Sequence, residues 1–249
     1  MEAALKEFEK YTDAYKSYGK MIDLKIKHTK RVTDISTKIA HSLNLSKEET
    51  EIATLCGLLH DIGRFEQWKE YSTYDDQKSI DHGNLGYNIL KKDDYLSHYT
   101  KNEKYKSSIL KSVKYHNKYA IPKNISKQDK LFCNIARDAD KIDILYLYTN
   151  DTFKVESDNT TISKDVLESL KNHNSIKHEQ VKTKADQLAI SLAFTFDFNF
   201  KYSYDFLNES SYMNIIIDKM KEKASKEFQK QLEEIRTIIE NYIEEKITC

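Results

Sequence analysis

The stretch CGLLHDIGRFEQW, Cys56 to Trp68, decides how the rest of the chain is read. At its centre His60 and Asp61 are adjacent, preceded by the apolar residues Ile52, Leu55, Leu58 and Leu59 and followed by Gly63. A histidine and a carboxylate at the buried end of an apolar helix are costly unless something binds them. A metal ion would do so, with further ligands drawn from other parts of the chain.

Those parts read as helices. Ser46 and Glu49 have the spacing of a capping box, which opens the helix that ends at His60-Asp61. Upstream lie a first helix over 2–18, ended by Gly19, and a second over about 20–43. The second carries a stripe of Leu24, Val32, Ile35 and Ile39 with His28 inside it. Downstream, residues 69–80 are polar, tyrosine-rich and aperiodic, a loop of the kind that can cover a site. A helix opening near Asp81 places His82, Leu85 and Ile89 on one face, and a helix over about 103–118 does the same for Ile109, Val113 and His116. Pro122 closes that region. Ser126 and Asp129 then cap a helix to about 148 with a stripe of Phe132, Ala136, Asp140, Ile144 and Leu147.

Beyond a loop over 149–160 the pattern weakens. A short helix is expected over 163–172. The stretch 185–206 starts as a helix but then alternates through Phe194, Phe196, Phe198, Phe200, Tyr202, Tyr204 and Phe206. Without a partner strand it is read as helical, since a lone strand is not stable. Residues 211–247 read as one long charged helix with a stripe from Ile217 and Met220 to Ile239 and Tyr242. The expected fold class is all-α: a helical domain over 1–150, and a C-terminal helical extension over 151–249 packed on the same domain.

Lys+Arg and Asp+Glu are both 40, so no general affinity for polymeric nucleic acid is expected, although a local basic patch could hold a phosphate. The 5 glycines and 1 proline suit long helices with few tight turns. Cys56, Cys133 and Cys249 are odd in number and far apart, which fits buried free thiols in a reducing compartment. No apolar run approaches the ~20 residues that span a bilayer and the N-terminus has no apolar signal core, so a cytoplasmic protein without a membrane partner is expected.

His28, His60, Asp61, His82, His116 and Asp140 share one property: each lies on, or at the end of, the apolar stripe of its own helix. One buried histidine is usually a satisfied core residue. Six such groups would each need a separate partner in one core, whereas a shared metal centre satisfies them together. Imidazole and carboxylate ligands suit iron, manganese, zinc or cobalt. Gly57, Gly63, Gly83 and Gly86 cluster in the same region, consistent either with close approach to a metal centre or with ordinary helix packing.

The order His28, His60-Asp61, Asp140, with LLHDIGR at the centre and ARDADKID at the close, resembles the HD superfamily of metal-dependent phosphohydrolases over residues 20–150. The resemblance implies that His28, His60, Asp61 and Asp140 hold one metal. It also implies that His82 and His116 match the two further histidines of dinuclear members, with Asp61 bridging two divalent ions. It is closest to subfamilies such as the symmetrical diadenosine tetraphosphatases and the cyclic-dinucleotide phosphodiesterases, although the GYP segment of the latter is missing. The implied activity is hydrolysis of a phosphomono- or phosphodiester of a nucleotide or other small phosphorylated metabolite by a metal-activated hydroxide. HD-type di-iron oxygenases acting on small polar substrates use the same six-ligand pattern, and a catalytically inactive nucleotide-binding HD domain is the third reading. Arg64 is the expected phosphate-binding catalytic cation beside Asp61, ahead of Lys141, Arg137, Lys118 and Lys78. Asp143 and Glu66 are candidates to orient the histidines. His41, His98, His173 and His178 fit no motif. Residues 150–249 could cap the site, shape substrate choice or form a homodimer interface.

Overall fold

In the computed structural model, residues 1–154 and 160–248 are described; part of the expected 149–160 loop, and Cys249, therefore lie outside the described residues. Every regular element among the described residues is a helix. None of these helices is long and apolar enough to cross a membrane. The chain divides into two compact units, Met1–Asp140 and Lys141–Cys249.

The first unit opens with α1 (Glu2–Asp13), a 3-10 turn at Lys16–Tyr18 and α2 (Lys20–Ser42). Gly19, at φ 94°, sits between them in backbone that side-chain-bearing residues rarely adopt. α3 (Lys47–Leu59) packs along α2. Its capping box forms as the sequence predicts: Ser46 Oγ accepts from the Glu49 amide, and the Glu49 carboxylate accepts from the Ser46 amide. α4 (Ile62–Tyr71) follows after a corner made by His60 and Asp61 alone, so the helix extends further into the expected 69–80 loop than the polar composition suggested. After that loop come α5 (His82–Lys91), a 3-10 segment at Lys92–His98, and α6 (Glu103–Tyr115). α7 (Lys127–Thr149) starts as expected, with Ser126 Oγ accepting from the Asp129 amide. α5 lies between α4 and α6, and α6 also packs on α3. The core here is Ile22, Val32, Ile39, Leu58, Leu59, Ile62, Phe65, Leu90, Ile109, Val113 and Phe132, all fully buried. The clustered glycines serve helix crossings: a Cβ on Gly57 would strike Ser36 of α2, and one on Gly63 would strike the backbone of α5.

The second unit contains α8 (Lys164–Lys171), α9 (Lys184–Ala193), α10 (Lys201–Ser210), α11 (Tyr212–Lys221) and α12 (Lys226–Thr248). α12 is its centre, touching α8, α10 and α11 through Phe228, Leu232, Ile235 and Ile239. Gln231 clamps the chain before α8, accepting from the Ile162 amide at 2.9 Å and donating to its carbonyl at 3.0 Å. Two expectations are corrected here. The 185–206 stretch is not one helix: α9 passes into a 3-10 turn at Phe194–Asp197, and Phe198 and Phe200 are extended before α10 starts. The alternating aromatics arise from this change of backbone within a few residues. The 211–247 stretch is interrupted because Ser225 starts a new helix. Its Oγ accepts from the Phe228 amide, while Gln229 donates to the Lys221 and Ala224 carbonyls in the turn between α11 and α12.

Cys56 and Cys133 are buried free thiols. Burial raises both, Cys133 to about 12. Since the thiolate is the reactive form, neither should react with a thiol reagent such as Ellman's reagent in the native protein, and both should react after denaturation. Mass spectrometry of the labelled protein checks this by position.

Candidate metal centre

Four of the six nominated donors owe their positions to helix ends. His60 is the C-cap of α3 and Asp61 is the N-cap of α4, so one corner aims both side chains into the same space. His82 is the first residue of α5, set by Asp81, whose carboxylate accepts from the Asn84 amide at 2.8 Å. His116 is the C-cap of α6. His28 and Asp140 come from the middles of α2 and α7.

The structure brings all six together. His28 Nε2 is 3.2 Å from His60 Nε2 and 3.2 Å from Asp140 Oδ1. His60 Nε2 is 3.6 Å from the same Asp140 oxygen. His82 Nε2 and His116 Nε2 are 2.9 Å apart. Asp61 lies between the two groups: its Oδ2 is 3.4 Å from His28 and 3.5 Å from His60, while its Oδ1 is 3.3 Å from His82 and 3.5 Å from His116. Five of the six are almost wholly buried, and Asp140 is 17% exposed.

The chemistry of this donor set fits a cation. His60 Nδ1 is 2.7 Å from the Gly57 carbonyl and His116 Nδ1 is 2.8 Å from the Val113 carbonyl. A carbonyl only accepts, so each Nδ1 carries the proton, and the Nε2 of the neutral ring presents a lone pair. His82 is fixed the same way, its Nδ1 lying 2.7 Å from Asp76 Oδ2. Lone pairs therefore converge with two carboxylates. Either a metal or a proton must sit among them. His28, His60 and Asp140 form one group able to hold a metal ion, and His60, Asp61 and His116 another.

The electrostatics show the same demand. Burial alone would lower His60, but Asp61 and Asp140 overcome it and raise the imidazole to about 10. His82 falls to about 3 through burial and the nearby Arg64 charge. His116 is also lowered by burial. Burial would raise both carboxyls. Lys25 and His60 nevertheless hold Asp61 well below the usual carboxylate range, and His28 and His60 do so for Asp140.

Two residues here had no sequence signal. Asp76, in the loop between α4 and α5, accepts from Arg64, Gln67, Asn117 and His82. It is the carboxylate behind His82, the role expected of Asp143 or Glu66. Glu66 instead accepts from Tyr15 at 2.6 Å and pairs with Lys69, and Asp143 is buried. Lys25, one turn before His28, places its ammonium 2.5 Å from Asp61 Oδ2.

The nominated cations are otherwise engaged. Arg64 Nε is 3.5 Å from Asp61 Oδ1, but its Nη1 donates to Gln67, to the Tyr74 carbonyl and to Asp76, which fastens the loop to α4. Arg137 is buried and donates to the carbonyls of Tyr115, His116 and Lys118, fixing the end of α6 that presents His116. Lys141 pairs with Asp197, Lys118 with Asp81 and Lys78 with Asp75. His41, His98, His173 and His178 are exposed.

Asp76→Asn should free His82 to turn or change tautomer. Lost outer-shell partners typically weaken metal affinity by about 10–100-fold. Competition with a chromophoric chelator should show that loss of metal affinity, with the fold retained.

No curated protein and no solved structure matches the chain. The family model of the HD domain matches residues 26–145, a span that contains His28, His60, Asp61, His82, His116 and Asp140. This part of the chain is therefore an HD domain, and at the domain level it belongs to the HD superfamily of metal-dependent phosphohydrolases.

Proposed function

We propose that the protein is a metal-dependent phosphohydrolase of the cytoplasm that acts on a phosphomono- or phosphodiester of a nucleotide or another small phosphorylated metabolite through a dinuclear centre. The observation that carries this reading is the placement of Asp61, whose oxygens face two different pairs of histidines. One carboxylate shared in this way suits two cations better than one.

When bound, a pair of divalent ions would supply Lewis acidity toward a phosphoryl oxygen and lower the pKa of water. His28, His60 and Asp140 would hold one ion, His82 and His116 the other, and Asp61 both. The chain's own work is positioning. Gly57 and Val113 carbonyls and the Asp76 carboxylate fix three rings with their Nε2 atoms inward. Arg64 steadies Asp61 and Asp76 together.

A phosphate-release panel of nucleoside mono-, di- and triphosphates and cyclic nucleotides tests the reading, with manganese, zinc, cobalt or iron added to chelator-treated protein. Metal-restored release of phosphate or nucleotide from at least one compound is expected. No hydrolysis with any metal, together with oxygen consumption by the iron-loaded protein, would overturn it.

A further inference from the structure

Charge balance at Asp61 singles out one more residue. In the structure Lys25 has its ammonium on Asp61 Oδ2 at 2.5 Å, and its side chain is only 15% exposed. Its other neighbour is the Tyr74 ring, 5.4 Å from the nitrogen, and that ring is held in place by the Tyr74 hydroxyl donating to the Met21 carbonyl at 3.0 Å. Arg64 lies 5.7 Å from the centroid of the same ring. The two cations thus flank one aromatic ring and reach the two oxygens of one carboxylate.

They differ in what else holds them. Arg64 Nη1 is spent on the loop through Gln67, the Tyr74 carbonyl and Asp76. A planar guanidinium tied in that way does not turn toward a ligand without giving up those bonds. Lys25 has a flexible four-carbon stem, and among the described residues its anionic partner is Asp61. A carboxylate that serves cations through both oxygens no longer neutralises an ammonium beside it. A desolvated ammonium without a counter-ion is costly, and a substrate anion would supply one.

Resting on the phosphohydrolase reading, we infer that Lys25 is the substrate-phosphate ligand of the metal-loaded site, and that it favours a terminal, doubly charged phosphate over a singly charged diester. Arg64 is then the positioning cation. Lys25 leaves Asp61 for the phosphate, and the Tyr74 ring backs its stem. A dianion gains more than a monoanion from one added positive charge at the same distance, because the Coulomb energy scales with the product of the charges.

The test is calorimetric titration of inorganic phosphate into manganese-loaded wild type, Lys25→Met and Lys25→Arg, with metal content measured on the same samples. Lys25→Met should keep the wild-type metal content and bind phosphate at least tenfold more weakly, and Lys25→Arg should recover most of the affinity. Wild-type binding in Lys25→Met would overturn the inference and leave the phosphohydrolase reading standing. So would loss of metal from Lys25→Met, which would make Lys25 a partner of Asp61 alone. Failure of loaded wild type to bind phosphate at all would count against the phosphohydrolase reading itself. Acetylation footprinting of the wild type needs no variant to fold: phosphate should protect Lys25 in the loaded protein, and equal labelling with and without phosphate would contradict the inference.

Discussion

An Asp61→Ala variant should purify without its normal metal content and show no hydrolytic activity above background. Asp61 is the one donor that faces all four histidines of the cluster. Removing it takes a ligand from both proposed metal positions at once, whereas removing any one histidine takes a ligand from one. The metal-free variant should also be less stable. Lys25 and His60 both rely on this buried carboxylate, and breaking a buried ion pair by deleting one partner costs about 3–5 kcal/mol. Denaturant unfolding of chelator-treated proteins reads the stability loss, and elemental analysis reads the metal. An Asp61→Ala protein with wild-type metal content would contradict the shared role.

Gly63→Ala should do comparable damage without touching a ligand. A Cβ at this position would lie 2.3 Å from the His82 carbonyl oxygen and 2.7 Å from the Gly86 amide nitrogen. Both obstacles are backbone, so no side chain can swing aside, and α5 must move away from α4. Overpacking typically costs about 1–3 kcal/mol, and a backbone clash belongs at the top of that range. For a chain of this length about 3 kcal/mol lowers Tm by roughly 6–12 °C. Because His82 is the first residue of α5 and Asp61 the N-cap of α4, the shift also draws the His82 ring away from Asp61. Thermal unfolding should show the loss, and the variant should retain less metal than wild type. An unchanged Tm would mean that α4 and α5 do not approach as closely as these distances state.

The six donors were legible because each occupies an apolar stripe or its end, where an unpaired polar group is conspicuous. The corner at His60-Asp61, the Ser46–Glu49 capping box and the Ser126 cap were equally legible, since local hydrogen bonding sets them. Asp76 was not. It sits in a polar loop without period, beside Asp75, and becomes the partner of His82 only because the loop returns to α4 through Gln67 and Arg64. Lys25 looked like one more lysine in a lysine-rich helix, and only the packing of α2 against the corner brings it to Asp61. Arg137 is a lesser phosphate candidate than Arg64 from its place before Asp140, and its side chain satisfies carbonyls at the end of α6. In the second unit the apolar stripe runs on through Met220 and Phe228, so Ser225 did not stand out as a new helix start.

The most direct test of the central claim is elemental metal content of protein purified without chelator or added metal, wild type beside His82→Ala. His82 touches Asp61 and His116 but is not part of the His28, His60 and Asp140 group. The expected result is about two equivalents in wild type falling toward about one in the variant, as for a two-metal site that loses one position. One equivalent in wild type, unchanged in His82→Ala, would contradict the dinuclear centre.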